Sequence, residues 1–183
     1  MTRKLHIGGK IHISGWEVLN AVNGPYVDHL GDARDLSQFQ DDTFGDLYAS
    51  HVLEHMDYKV ELAAVLKEWH RVLMPGGKIY ISVPDMDVLC QLFMAKDKMD
   101  INERFHVMRM MFGGHVDNYD YHVVGLNQEF LGIFLQQAGF SNMRRVSSFG
   151  LFQDTSNLVV KGGPISVNVI AEKTHASDVQ NKK

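Results

Sequence analysis

The sequence predicts one α/β domain with a mostly parallel sheet of about seven strands flanked by helices. Three observations carry that prediction. First, residues 31–85 (GDARDLSQFQDDTFGDLYASHVLEHMDYKVELAAVLKEWHRVLMPGGKIYISVPD) hold a strand, a polar loop, an amphipathic helix, a Pro-Gly-Gly break and a second strand. This is the pattern of a parallel βαβ crossover. Second, the polar residues of this stretch gather at the carboxyl ends of its strands, where open parallel sheets bind their ligands. Third, short alternating or β-branched runs lie on both sides of it and supply further strands.

In chain order, residues 4–8 (KLHIG) read as the first strand, with Gly8 and Gly9 at its turn. Residues 16–20 read as the second, ending at Asn20. The link between them is too short for the usual crossover helix of ten or more residues, so the first crossover is shortened or irregular. Asn23-Gly24-Pro25 is a turn, and residues 26–30 form a third short strand ending at Gly31-Asp32. Residues 44–50 are the fourth strand. Leu62, Val65, Leu66, Trp69, Val72 and Leu73 recur at helical spacing and predict a helix over 57–73, ended by Pro75-Gly76-Gly77. Residues 78–83 (KIYISV) are the fifth strand, and Asp85 caps the next helix.

Two helices fill 86–111, with a break near 97–100. Five methionines lie from Met94 to Met111, and core packing is favoured for them over a malleable lid. The same helices offer a face for a second copy, so a homodimer is carried as an expectation. A polar, aromatic loop follows over 112–122. Asn127 caps a helix ended by Gly139, and strands follow at 143–149 and 166–171, the last two read as a hairpin. Residues 1–174 form the domain and 175–183 a polar tail. The whole is a Rossmann-like sheet.

Composition narrows the function classes. The 183 residues carry a formal net charge of −4 without a basic run, which argues against nucleic acid or an anionic membrane as partner. No apolar run reaches the roughly 20 residues of a bilayer span. The first ten residues lack the apolar core of a signal peptide, so a cytoplasmic location is expected. The single cysteine, Cys90, excludes an internal disulfide, and its apolar neighbours suggest a packed helix position. Ten histidines raise the question of a metal. His51-Val-Leu-Glu-His55 has the letters of an inverted zinc-protease motif, but that motif needs a long helix and a further carboxylate, and here it follows a strand. No metal ligand is assigned.

The order of these segments resembles the class I S-adenosylmethionine-dependent methyltransferases, whose pattern is GDAxxLPFxDxSFDxVxxxxVLEH followed by LxExxRVLxPGGxLxIxxP. The resemblance covers residues 5–84 in order, and 128–140 (QEFLGIFLQQAGF) resembles the family's helix before strand six. It is nearest the short type 11-like methyltransferases with a reduced glycine-rich motif. The resemblance implies S-adenosylmethionine as cofactor. It places Gly8 and Gly9 at the cofactor's methionine part, where a Cβ would collide. Asn20 stands where the family has an acid for the ribose hydroxyls. Asp32 matches the adenine-binding acid, with the Ala33 backbone beside it. Ser50 and His51 match the segment that passes the sulfonium, while Glu54 and His55 orient that loop. Asp28 or Glu17 could offset the missing ribose charge.

The reaction so implied is SN2 methyl transfer to a small-molecule or sugar-type (glycan) acceptor, there being no NPPY-like signature of nucleic-acid base methylation. Such catalysis rests on placing an acceptor lone pair in line with the methyl. A base helps when the acceptor is a hydroxyl, and His51, His115 and His122 are the candidates. Tyr119 and Tyr121 are candidates for stacking on an acceptor. The alternative is a non-catalytic Rossmann-like binding protein with a degenerate cofactor site. An NAD-dependent enzyme is disfavoured because GxGxxG is absent.

Overall fold

The structure is a computed structural model and describes residues 2–174. The tail assigned to 175–183 lies outside the described residues. Strands β1 (Arg3–Ile7), β2 (Glu17–Asn20), β3 (His29–Leu30), β4 (Phe44–Ser50) and β5 (Leu73–Pro84) are parallel neighbours. Helix α1 (Leu62–Val72) connects β4 to β5. Helices α2 (Met86–Met94), α3 (Ile101–Phe112) and α4 (Gln128–Gln137) follow, then β6 (Phe140–Val146), a small hairpin of β7 (Val159–Val160) and β8 (Gly163–Pro164), and β9 (Ser166–Lys173). The sheet order is β3-β2-β1-β4-β5-β9-β6, and β9 alone runs against the rest. The last two sheet strands are antiparallel neighbours as expected, but a long segment separates them rather than a tight turn.

The local signals act as expected at most ends. Asp85 accepts from the Asp87 amide, and Asn127 accepts from the Phe130 amide at 2.9 Å. Asp100 and Glu103 close a reciprocal capping box that starts α3 after the break. Gly139 ends α4 at φ +98°. Strand β3 is only His29–Leu30 rather than 26–30, and β6 ends at Val146 rather than at 149. Other boundaries differ as well. Helix α1 begins only at Leu62, because Asp57 and Glu61 bond locally to the amides of 57–60 and hold a turn there. Strand β5 resumes at Leu73, and Pro75-Gly76-Gly77 forms an irregularity within it rather than a loop before it. Strand β6 begins three residues early because Phe140 is buried against the core.

Helices α1 and α4 cover one face of the sheet, burying Leu62, Leu66, Trp69, Leu131 and Leu135 on Leu5, Ile7, Leu47 and Ile79. No helix forms between β1 and β2. Beside that link Trp16, Tyr48 and Phe152 form an aromatic cluster with Ile13, Phe149 and Leu151. Helices α2 and α3 pack on one another around Leu89, Met99 and Val107, with Met110 and Met111 against them, so these three methionines serve packing, whereas Met94 is exposed at the end of α2. Cys90 is exposed, contrary to expectation, because α2 turns Leu89 inward instead.

One side chain ties the loop after β3 to α1. The Arg71 guanidinium donates to the carbonyls of Leu36 (3.1 Å) and Phe39 (3.0 Å), to Asp41 (2.7 Å) and to Glu68. Trp69 Nε1 adds a bond to the Ala33 carbonyl at 2.8 Å. Lysine keeps the charge but cannot span these acceptors. Arg71→Lys is therefore expected to lose about 1–3 kcal/mol, read as a lower urea midpoint at unchanged slope. An unmoved midpoint would show that the loop holds itself.

Candidate functional site

Two cavities open at the carboxyl ends of the parallel strands. The first, of about 580 Å³, is lined by Gly8, Asn20, the 31–34 turn, His51, Val52, His55 and the loop residues Asp117, Tyr119 and Tyr121, among others. The second, of about 460 Å³, is lined by His6, Ser50, His51, Glu54, His55, Asp120, His122, Asp154 and Thr155, among others. Gly8, Lys10, His51, His55, Asp117 and Tyr119 line both, so the cavities meet there.

The strand ends explain the first cavity. Gly8 adopts φ +74°, and a Cβ on it would stand 2.6 Å from Val52 Cγ2, so only glycine fits the turn without displacing Val52. Asn20 donates from Nδ2 to the Gly9 carbonyl (2.8 Å) and accepts at Oδ1 from the Val22 amide (2.9 Å). It thereby ties the ends of β1 and β2 together. Asp32 accepts from the Arg34 amide (2.9 Å) and pairs with the Arg34 guanidinium at 3.0 Å. Arg34 also reaches Glu61 (3.0 Å) and the His55 carbonyl (3.2 Å). A carboxylate offers about four lone-pair sites, so Asp32 keeps acceptor capacity toward the cleft.

The second cavity is built on buried titratable groups. His51 follows β4 at φ +56° and donates or accepts at 3.0 Å between Nε2 and Ser166 Oγ, while Nδ1 stands 3.3 Å from Glu54 Oε1. His122 Nε2 is 3.9 Å from the same oxygen. Burial holds His51 down at about 4, with the neighbouring His122 adding to the shift, and burial pushes Glu54 up to about 8. His55 and His122 are also lowered, chiefly by burial. The 113–126 loop closes over this group. The Val123 amide donates to the Glu54 carbonyl (2.9 Å), and His55 Nδ1 bonds the Tyr121 carbonyl (3.0 Å).

The structure thus brings Gly8, Asn20, Asp32, Ala33 and His51 to one cleft, and Ser50, His51 and His122 to its neighbour. Gly9 and His115 line neither. Gly9 instead makes room for the His6 ring, whose Nδ1 would stand 2.7 Å from a Cβ there. His115 stacks on Tyr121 (4.1 Å between ring centres) and bonds the Phe112 carbonyl. Asp28 and Glu17 do not reach the cleft. Asp28 accepts from the Val18 amide, and Glu17 pairs with Arg3 and His29. Sequence reasoning missed His6, Asp154 and the meeting of Glu54 with His122. The HxxEH spacing was the available signal for Glu54. Nothing local pointed to Asp154, which reaches the Tyr48 hydroxyl at 2.8 Å across 106 residues of chain.

His6 sits between the rings of Tyr48 and Phe152, and burial lowers it to about 4, opposed by Asp154. The unfolded chain therefore takes up the proton first as pH falls. The stabilising difference is complete above the ordinary histidine value and is lost as pH drops toward 4. Between about pH 7.5 and about pH 5 the native chain should lose about 2 kcal/mol more than His6→Leu. Parallel urea-stability profiles for the two would contradict this.

Residues 17–81 match a family model described as "Methyltransferase domain". Comparison with curated proteins finds no match. Among solved structures, a SAM-dependent methyltransferase from Archaeoglobus fulgidus is similar at TM-score 0.59 and 17% identity, over 94% of this chain and 86% of that one. The Burkholderia thailandensis 1,6-didemethyltoxoflavin-N1-methyltransferase, with 1,6-didemethyltoxoflavin and S-adenosylhomocysteine bound, is similar at TM-score 0.57 and 14% identity, over 95% and 72%. The CurJ carbon methyltransferase is similar at 0.56 and 14%, over 95% and 49%. The chain spans 63% of the length of a similar Bordetella parapertussis protein and about half that of CurJ. Among the described residues no helix is long and apolar enough to cross a membrane. Residues 17–81, which hold the 31–34 turn and the His51 segment, match the methyltransferase-domain model, and the described residues share their fold with the similar SAM-dependent methyltransferases of known structure.

Proposed function

We propose that this protein is a SAM-dependent methyltransferase acting on a small-molecule or sugar-type acceptor. The observation that carries the reading is the pair of cavities meeting at Gly8, His51 and His55 at the carboxyl ends of the parallel strands. The first cavity takes the cofactor. Asp32 and the Ala33 backbone face its adenine, Asn20 its ribose, and Gly8 its methionine part; Gly9 supports the same turn from behind. The second cavity takes the acceptor. His51 and the Ser50 end of β4 would then stand beside the methyl, where the cavities meet.

When bound, S-adenosylmethionine would supply an activated methyl group, which an acceptor lone pair would attack as the carbon–sulfur bond breaks, its electron pair staying with the sulfur. The protein's share is to hold the two groups in line and to keep water out. A hydroxyl acceptor also gives up its proton. His51 and His122 stand on the cavity wall as neutral imidazoles suited to receive it, whereas His115 is held away by its stack on Tyr121. A homodimer through the exposed apolar side chains Met94, Ile101, Phe105 and Phe112 belongs to the same reading. Sedimentation at increasing concentration checks it, and a monomer throughout overturns it.

One observation favours the second reading, a binding protein with a degenerate site. Both polar atoms of Asn20 are already engaged by Gly9 and Val22. Calorimetry with S-adenosylmethionine and S-adenosylhomocysteine separates the two. Binding is expected, and Asp32→Ala should weaken it about tenfold, the equivalent of about 1.4 kcal/mol. No binding of either at millimolar concentration would sink the methyltransferase reading. Unchanged affinity with lowered stability would reduce Asp32 to a holder of Arg34.

A further inference from the structure

Glu54 is the group in the second cavity that methyl transfer leaves without a task. It is 1% exposed, and neither carboxylate oxygen has a hydrogen-bond partner among the described residues. The His51 and His122 nitrogens stand 3.3 and 3.9 Å from Oε1, outside hydrogen-bonding geometry. An isolated buried carboxylate is costly unless a proton or a cation answers it. Around it, one ligand atom each from Glu54, His55 and His122 lie within 4.8 Å of one another.

We infer that Glu54, His55 and His122 form a binding site for a divalent transition-metal ion, a two-histidine, one-carboxylate set of the kind that holds zinc. Three features beyond the clustering support this. His55 Nδ1 bonds the Tyr121 carbonyl at 3.0 Å and so donates its proton there, which leaves the Nε2 lone pair free. A backbone carbonyl in that role is the usual way a metal-binding imidazole is oriented. His122 turns Nε2 toward Glu54 while its Nδ1 is buried without a hydrogen bond among the described residues. The two segments that supply the ligands are latched by the Val123 amide on the Glu54 carbonyl. Ligand atoms around a tetrahedral zinc ion lie about 3.3–3.5 Å apart, so side-chain rotation of about an ångström closes the set.

All three groups line the second cavity, so open coordination positions face that space. The ligand class they would take is an oxygen-bearing acceptor, a step that rests on the methyltransferase reading. With an ion bound, His122 is a ligand and not a free base.

The test uses the full chain, freed of metal by a chelator and titrated with zinc chloride in a calorimeter. One equivalent should bind, and Glu54→Gln and His122→Ala should each weaken it by about a hundredfold. His106→Ala, at an exposed histidine outside the cavities, should leave it unchanged. Cobalt(II) bound to the native chain gives a readout that needs no variant to fold. Visible bands of low coordination number without thiolate charge transfer are expected, which also separates this site from exposed Cys90. No zinc binding, zinc binding equal in all variants, or a thiolate band would overturn the proposal. S-adenosylmethionine titrated into the metal-free chain keeps the two readings apart. Cofactor binding without zinc binding sinks only the metal site, and zinc binding without cofactor binding sinks only the methyltransferase.

Discussion

The Arg71 guanidinium is the contact on which the wall of the first cavity depends. The polypeptide between Gly31 and Thr43 has no regular structure of its own, yet it carries the Asp32 turn. From the last turn of α1, Arg71 reaches its carbonyls at Leu36 and Phe39, and Trp69 reaches the carbonyl of Ala33. Both anchors sit on a helix packed on the sheet, and Trp69 is itself part of its buried face. The cleft wall therefore inherits the rigidity of α1, and buried backbone carbonyls that would otherwise lack donors are satisfied. Lys173 extends the arrangement by bonding Asp42 and the carbonyls at the end of α1.

The absent first crossover helix has a consequence on the other side of β1 and β4. His6 and Tyr48 point away from the main core and would be exposed without a cover. Trp16 and Phe152 supply it. Phe152 comes from the segment after β6, which also brings Asp154 and Thr155 to the second cavity. Shortening one connection thus ties the C-terminal part of the chain to the site. Asn168, inside β9, holds that segment down through the carbonyls of Ser147 and Ser156.

The second cavity draws its chemistry from burial. Desolvation lowers His51 and His122, and the same cause pushes the Glu54 carboxyl toward the protonated form. A group of this kind resists being read from sequence, because the shift depends on what covers it. In this chain the cover is the 113–126 loop, latched at Val123 and Tyr121.

The sequence by itself determined the elements and their order. The apolar spacing of α1, the caps Asp85 and Asn127, the β-branched run of β5 and the short link after Gly8 are all local signals, and local backbone physics acts on them directly. It also determined that Gly8, Asn20, Asp32 and His51 stand at strand ends, because a parallel sheet puts those ends on one side. Tertiary structure decided what each residue does there. Asn20 is committed to Gly9 and Val22, Gly9 to His6, and His115 to Tyr121, while Glu54 meets His122 from a loop 68 residues away. Those outcomes turn on distances between segments remote in sequence. Side-chain commitment and burial are properties of the packed molecule, and no spacing within a single element encodes them.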